Sequence, residues 1–236
     1  MKIVIGYVAV TNGPHTADLI SRLVGSYLVC PPGPPHELIV LCNGGPLPME
    51  QGLMLDAIGA RFMPRVNDPG WDISAFQDLA KATDADIVVC FGESVYFHRP
   101  NWLNHIVHAW NQHGEGMYGF FSSHLLRPHL NTTAFATAPK FLRQYAQVKS
   151  HASRYEFEHG ENSFWRALHA WGVPVRLVTW DGSWQAGQWR YPKNILWRGT
   201  QENCLVYCNH TDRYSAATIQ VKANWARGAD NPQPFR

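Results

Sequence analysis

The chain has 236 residues, 45% of them hydrophobic and 16% charged, and 20 basic against 18 acidic side chains leave a net charge of +2. That length suffices for one large domain or two small ones with a real core, and the composition is that of an ordinary soluble globular protein. Without a Lys/Arg run there is no electrostatic footprint for nucleic acid. The apolar stretch Ile3 to Val10 is too short for a membrane span, contains Gly6 and lacks a cleavage site, so it reads as a first strand and not as a signal.

The elements follow in order. Lys2 to Val10 predicts a strand that ends at Thr11-Asn12-Gly13-Pro14. A helix runs from Thr16 to Val29 with Leu19, Leu23, Val24, Tyr27 and Leu28 on one face, stopped by Pro31-Pro32-Gly33-Pro34-Pro35. Glu37 to Cys42 is a second strand, Met49 to Ile58 a short helix, Arg61 to Val66 a third strand, and Ile73 to Ala82 a helix. Ile87 to Phe91 is an unbroken apolar run between a polar helix end and Gly92, the pattern of a strand buried on both faces of a parallel sheet. Asn101 to His113 is the helix after it.

Strand alternating with helix predicts an α/β fold with a doubly wound parallel sheet. Beyond Gly114 the pattern loosens. Met117 to Ser122 and Thr132 to Thr137 read as extended, Pro139 to Val148 and Asn162 to Trp171 as helices, and Val173 to Val178 as a strand. From Trp180 onward only a strand at Leu205 to Tyr207 is suggested. No linker divides the chain, so 1–236 is read as one domain. Its regular half is 1–113 and its looser half 114–236.

Five cysteines, Cys30, Cys42, Cys90, Cys204 and Cys208, are odd in number and three adjoin apolar runs. Buried free thiols in a reducing compartment fit this best, which points to a cytoplasmic location. Cys204, Cys208 and His210 lack zinc-finger spacing. Six of the ten tryptophans lie between Trp165 and Trp197. Indoles stack on sugars and bases, but core packing is the commoner use.

In an open α/β sheet, ligands bind outside the carboxyl ends of the strands. The first four strand ends carry Thr11, Asn43, Asn67 or Asp68, and Glu93 with Ser94. Asp72 opens a helix, where favouring the helix dipole is an equally good account of it. Glu156, Glu158, His159 and Glu161 form an acidic cluster ahead of the Asn162 helix. A carboxylate there either caps the helix or takes a proton from a substrate hydroxyl. Neither the dinucleotide fingerprint nor the P-loop motif occurs.

The strand ending in the Asn43 turn, then Asn67-Asp68-Pro69-Gly70-Trp71-Asp72-Ile73-Ser74-Ala75-Phe76, then Gly92-Glu93-Ser94-Val95-Tyr96-Phe97, resembles nucleotide-sugar-dependent glycosyltransferases of GT-A fold. Within the family-2-like group it is most similar to the rhamnan-synthesis type. Arg127-Pro-His-Leu-Asn-Thr-Thr-Ala-Phe-Ala-Thr137 resembles the acceptor-side segment of such enzymes, and the likeness runs over roughly residues 1 to 180. It implies a mostly parallel twisted sheet flanked by helices and transfer of a sugar from a nucleoside-diphosphate donor to a hydroxyl acceptor. The acceptor implied is a glycan, in polysaccharide biosynthesis, by a soluble protein at or near the inner face of a membrane. Thr11, Asn43 and Asp72 would approach base and ribose, Glu161 (or Glu158) would activate the acceptor, and Trp180, Trp184 and Trp189 would help position it. Glu93 would help hold a divalent metal, Mn or Mg, with His210 as a further ligand. Residues 1–113 would then be the nucleotide-binding half and 114–236 the acceptor half. Glu93 would stand for the second acid of the usual Asp-x-Asp motif, with Gly92 in place of the first and Ser94 at the third position, which leaves metal dependence open. The same departure supports a second reading, a non-catalytic nucleotide-sugar or glycan-binding module. A sugar-phosphate nucleotidyltransferase would want Lys or Arg after the first strand, and Thr11-Asn12-Gly13-Pro14-His15 has neither.

Overall fold

The computed structural model describes residues 1–66, 70–124, 128–189 and 196–230. Asn67, Asp68 and Arg127, singled out in the sequence, lie outside them. An eight-stranded sheet runs through both halves of the chain. Its parallel part is built from β1 (Ile3–Val10), β2 (Glu37–Asn43), β3 (Arg61–Arg65) and β4 (Ile87–Phe91), in the order β3-β2-β1-β4. The helices between them are α1 (Thr16–Val29), α2 (Met49–Asp56) and α3 (Trp71–Ala82), and α4 (Trp102–His113) follows β4. Each arises where the apolar period changes from two to three or four residues.

Packing explains the close fit of α3. A Cβ on Gly6 in β1 would lie 2.4 Å from Leu79 Cδ2 of α3, so glycine lets helix and strand approach. On the opposite side of the sheet, Tyr27 of α1 meets Phe97 edge-on, and Phe97 stacks at 4.6 Å on Trp102 of α4.

The second half departs from a purely parallel sheet. β5 (Met117–Gly119), β8 (Ala134–Thr137), β9 (Val175–Thr179) and β10 (Gly182–Gln185) extend it in the order β4-β8-β5-β9-β10. β8 is antiparallel to both β4 and β5, and β10 is antiparallel to β9. The chain returns from β5 to β8 through a small two-stranded sheet, β6 (Ser122–Ser123) with β7 (His129–Leu130), and not through a helix. A parallel return needs a long crossover, so the strand comes back antiparallel. For the same reason the expected strand Met117 to Ser122 is broken between two sheets.

Helix boundaries differ from the sequence reading by one or two residues in α2, α3 and α4, and by more in the second half. α5 spans Pro139–Gln144, short of Val148. Buried Gln77 of α3 ends it by donating to Ala146 O (3.0 Å) and accepting from Val148 N (2.9 Å). Of the acidic cluster, Glu156, Glu158 and His159 lie in a helix of their own, α6 (His151–His159), started by a reciprocal Ser150–Ser153 capping box. α7 is Phe164–Ala170 rather than a helix from Asn162, so Glu161 sits in the α6–α7 turn. No strand forms at Leu205 to Tyr207. Instead Tyr207 bridges Tyr96 and Cys204 bridges Thr179, which carries the chain across the sheet to α8 (Asn209–Ala216) and α9 (Ile219–Asp230). All five cysteines are buried, and none is in a disulfide. Among the described residues, no helix is long and apolar enough to cross a membrane.

Candidate active site

A cavity of about 630 Å³ opens at the carboxyl ends of β1, β2 and β4. Val8 and Val10 line it from the face of β1 that also carries Gly6, because residues two apart share a face. Asn43 closes β2, Gly92, Glu93 and Ser94 follow β4, and Trp71 and Asp72 open α3. Thr133 comes from the turn before β8, Arg154 from α6, and Asn209 and His210 from the first turn of α8.

The entry of α3 is held by side chains. Asn43 donates to Trp71 O (3.3 Å) and accepts from Arg65 (2.6 Å), whose guanidinium also pairs with Asp78 at 2.6 Å. Trp71 itself takes φ +56°, the left-handed region that bulky residues avoid, and its indole is 58% exposed. Strain of this kind persists where the surroundings impose it. Asp72 accepts from its neighbour Ile73 N (3.0 Å) and from two Arg154 nitrogens, Nε at 2.9 Å and Nη2 at 3.3 Å. This forked pair fixes α6 to the start of α3 across the cavity.

Glu93 stands differently. Burial pushes its carboxyl up, the Asp72 charge adds to that, and a backbone hydrogen bond from Val10 and the charge of His15 oppose it. Its main-chain carbonyl accepts from Tyr7, and that of Ser94 accepts from Arg22 (3.0 Å). Arg22 also pairs with Asp212 of α8 at 2.6 Å, tying the β4 turn and α8 together. Burial lowers the pKa of His210, with Arg213 and Arg154 acting the same way against Glu158, so the imidazole is neutral at pH 7.

The structure thus gathers Asn43, Asp72, Glu93, Ser94 and His210 at one cavity. Thr11 stays just outside, donating through N (2.9 Å) and Oγ1 (3.2 Å) to Asn43 O. Glu158 is one turn beyond Arg154 on α6, buried, and does not line the cavity; Glu161 is exposed and does not either. Glu158 accepts from Thr132 (2.8 Å) and Asn131 (2.9 Å) and faces His129 and His159. Burial alone would push its carboxyl up, but His129, the His159 charge and Thr132 outweigh that and bring it down to about 2. Trp180, Trp184 and Trp189 are not on the wall: their indoles donate to Cys204 O, Thr179 Oγ1 and Trp184 O and knit the C-terminal region. Cys204, Cys208 and His210 do not form a ligand group; among the described residues, the three-residue group close enough to hold a metal ion is His129, Glu158 and His159. Sequence reasoning missed Arg154 and Asn209, and reached Thr133 only as part of the Arg127-to-Thr137 likeness. The one usable signal for Arg154 was the Ser150-x-x-Ser153 spacing that starts its helix.

No protein-family model matches the sequence, and no curated protein sequence matches it either. Solved structures are similar in fold. CMP:2-keto-3-deoxy-manno-octonic acid synthetase complexed with CTP aligns with a TM-score of 0.50 at 12% identity, over 75% of this chain and 89% of that one. TarS 1-349 of S. aureus in complex with UDP-GlcNAc aligns with 0.45 at 12%, over 61% and 47%. The mannosyltransferase PcManGT of Pyrobaculum calidifontis, in complex with GDP-Man and Mn2+, aligns with 0.45 at 10%, over 64% and 50%. The chain spans about half the length of the last two. At such identities the likeness is one of fold alone, a GT-A-like α/β fold with a mostly parallel central sheet flanked by helices.

Proposed function

We propose that the protein is a glycosyltransferase that moves a sugar from a nucleoside-diphosphate donor to a hydroxyl of a glycan, as the resemblance to rhamnan-synthesis enzymes suggests. The observation that carries this reading is the cavity at the carboxyl ends of β1, β2 and β4, with Asp72, Glu93 and Arg154 on its wall. The exposed Trp71 indole offers the base a stacking face, and Asn43 supports the loop beneath it.

The charges decide how a diphosphate is held. Arg154 is matched by Asp72, so Glu93 leaves the wall with one surplus negative charge and a diphosphate adds more. A divalent cation fits there, since a hard oxygen ligand such as Glu93 can share it with phosphate oxygens and water. When bound, such a cation neutralises charge on the leaving diphosphate. Arg154 orients the phosphates, and the cavity walls exclude water from the donor. Neutral His210 takes the acceptor proton, a role open to it because its lone pair is not spent on a proton at pH 7. This moves the base from Glu161, exposed and off the wall, and from Glu158, whose low pKa makes it a poor proton acceptor. A non-catalytic binding module remains the second reading, favoured by Gly92 where the motif has an acid.

Thermal shift with UDP, GDP, dTDP and CMP, each with and without manganese, tests the donor site. A ligand at 100 Kd stabilises by about 2.7 kcal/mol. One diphosphate should stabilise the protein, more so with manganese, and a flat response across the panel removes the reading. His210→Ala should then abolish turnover and keep nucleotide binding, and parental activity should fall on acidification only below the ordinary imidazole range, because burial holds the His210 pKa down. Loss of the manganese effect in that variant would make His210 a cation ligand instead. Nucleotide binding without transfer to any acceptor would select the binding module.

A further inference from the structure

We infer a second metal site, separate from the cavity, in which His129 Nε2, Glu158 Oε1 and His159 Nε2 bind one Zn²⁺-class cation. His129 belongs to β7, and Glu158 and His159 end α6. The carboxylate oxygen is 3.5 Å from the His129 nitrogen and 3.8 Å from the His159 nitrogen, and all three ligand atoms lie within 4.8 Å of one another. Zinc bonds of about 2.0–2.1 Å place tetrahedral ligand atoms about 3.4 Å apart, so a small contraction completes three corners. Two imidazoles with one carboxylate is a donor set for zinc and not for calcium or magnesium, which take oxygen.

The surroundings favour a cation over a plain ion pair. The side chains are 4%, 8% and 16% exposed, so water does little to solvate the carboxylate. The imidazole rings are 4.3 Å apart, and protonating both would set like charges against each other. A dication meets the carboxylate and leaves both rings neutral. Asn131 Nδ2 (2.9 Å) and Thr132 Oγ1 (2.8 Å) already orient the carboxylate, as outer hydrogen bonds do around bound metals.

The site joins β7 to the helix whose Arg154, one turn earlier, grips Asp72 at the cavity wall. A bound cation therefore positions Arg154 without touching substrate. Zinc binding here does not depend on sugar transfer.

Chelator-treated full-length protein is titrated with zinc chloride by calorimetry, with no nucleotide present. One zinc should bind and raise the melting temperature. His159→Ala, at the more exposed ligand, should keep the parental circular dichroism. Losing a direct ligand costs at least what losing an outer-shell partner does, so its zinc affinity should fall on the order of 100-fold. His129→Asn serves as the second variant. Cobalt substitution should show no thiolate charge-transfer absorption. Absence of zinc binding, undiminished binding in His159→Ala, calcium binding as tight as zinc, or a thiolate band from Cys204 or Cys208 would each overturn the site.

Discussion

Two regions of the molecule hold a glutamate away from bulk water and treat it in opposite ways. At the cavity, Glu93 has Asp72 near it and a single backbone donor, and burial pushes its carboxyl up. Glu158, on α6, is more deeply buried, yet His129, the His159 charge and the Thr132 hydroxyl bring it down to about 2. Burial therefore does not decide the charge state; the supply of donors does. The region rich in donors is an anchor, and the region poor in them is where a ligand's charge has something left to do.

The largest effect should come from removing the anchor. Breaking a buried pair from one side costs about 3–5 kcal/mol, so Glu158→Ala should lose that much in urea unfolding. Glu93→Ala should lose little or gain, because it removes a charge that burial disfavours. Equal losses in the two variants would erase the contrast. Next, Glu93→Gln should keep the parental melting temperature and lower transfer about 10²-fold or more, the scale of losing one electrostatic contact to a developing charge.

Arg154→Ala sits between the regions and should weaken diphosphate binding about tenfold, or ~1.4 kcal/mol, read by calorimetry. The same variant should disturb Asp72, whose carboxylate would lose both guanidinium bonds. An unchanged affinity would leave Arg154 a purely structural link between α6 and α3. The smallest effect concerns Trp71. A left-handed conformation costs a bulky residue roughly 1–2 kcal/mol that glycine does not bear. Trp71→Gly should then raise stability by up to about 1 kcal/mol and weaken nucleotide binding. A loss of stability would mean that the indole packs more than it strains.

The two halves of the chain were not equally legible in the sequence. β1, β2 and β4 announce themselves as β-branched runs ended by Asn or Gly, and α1 was recovered to the residue because Pro31 and Pro32 stop it. Asn43, Asp72, Glu93 and Ser94 could be read from strand and helix ends alone, since parallel strands bring those ends to one edge. α6 carries no such signal. Phe157 is its one buried apolar residue, so His151–His159 reads as a charged loop, and Arg154 vanished with it. The reversal of β8 depends on what lies between β5 and β8, a matter of connection and not of local pattern. The Trp-rich tail misled in the other direction: indoles that suggest stacking are spent on Thr179, Cys204 and one another.

The pairing of Tyr207 with Tyr96 has a consequence for the protein's birth. It brings Asn209 and His210 to a cavity whose first wall residue is Val8, so the site is closed by residues made long after its first wall. At about 5–20 residues per second, the stretch from Ser94 to Asn209 takes on the order of ten seconds to leave the ribosome. Throughout that interval the ends of β1, β2 and β4 stand open on one side, with Glu93 still accessible to water. A nascent chain can hold a folded parallel sheet well before it holds a working site, and nucleotide should protect it only after α8 has docked.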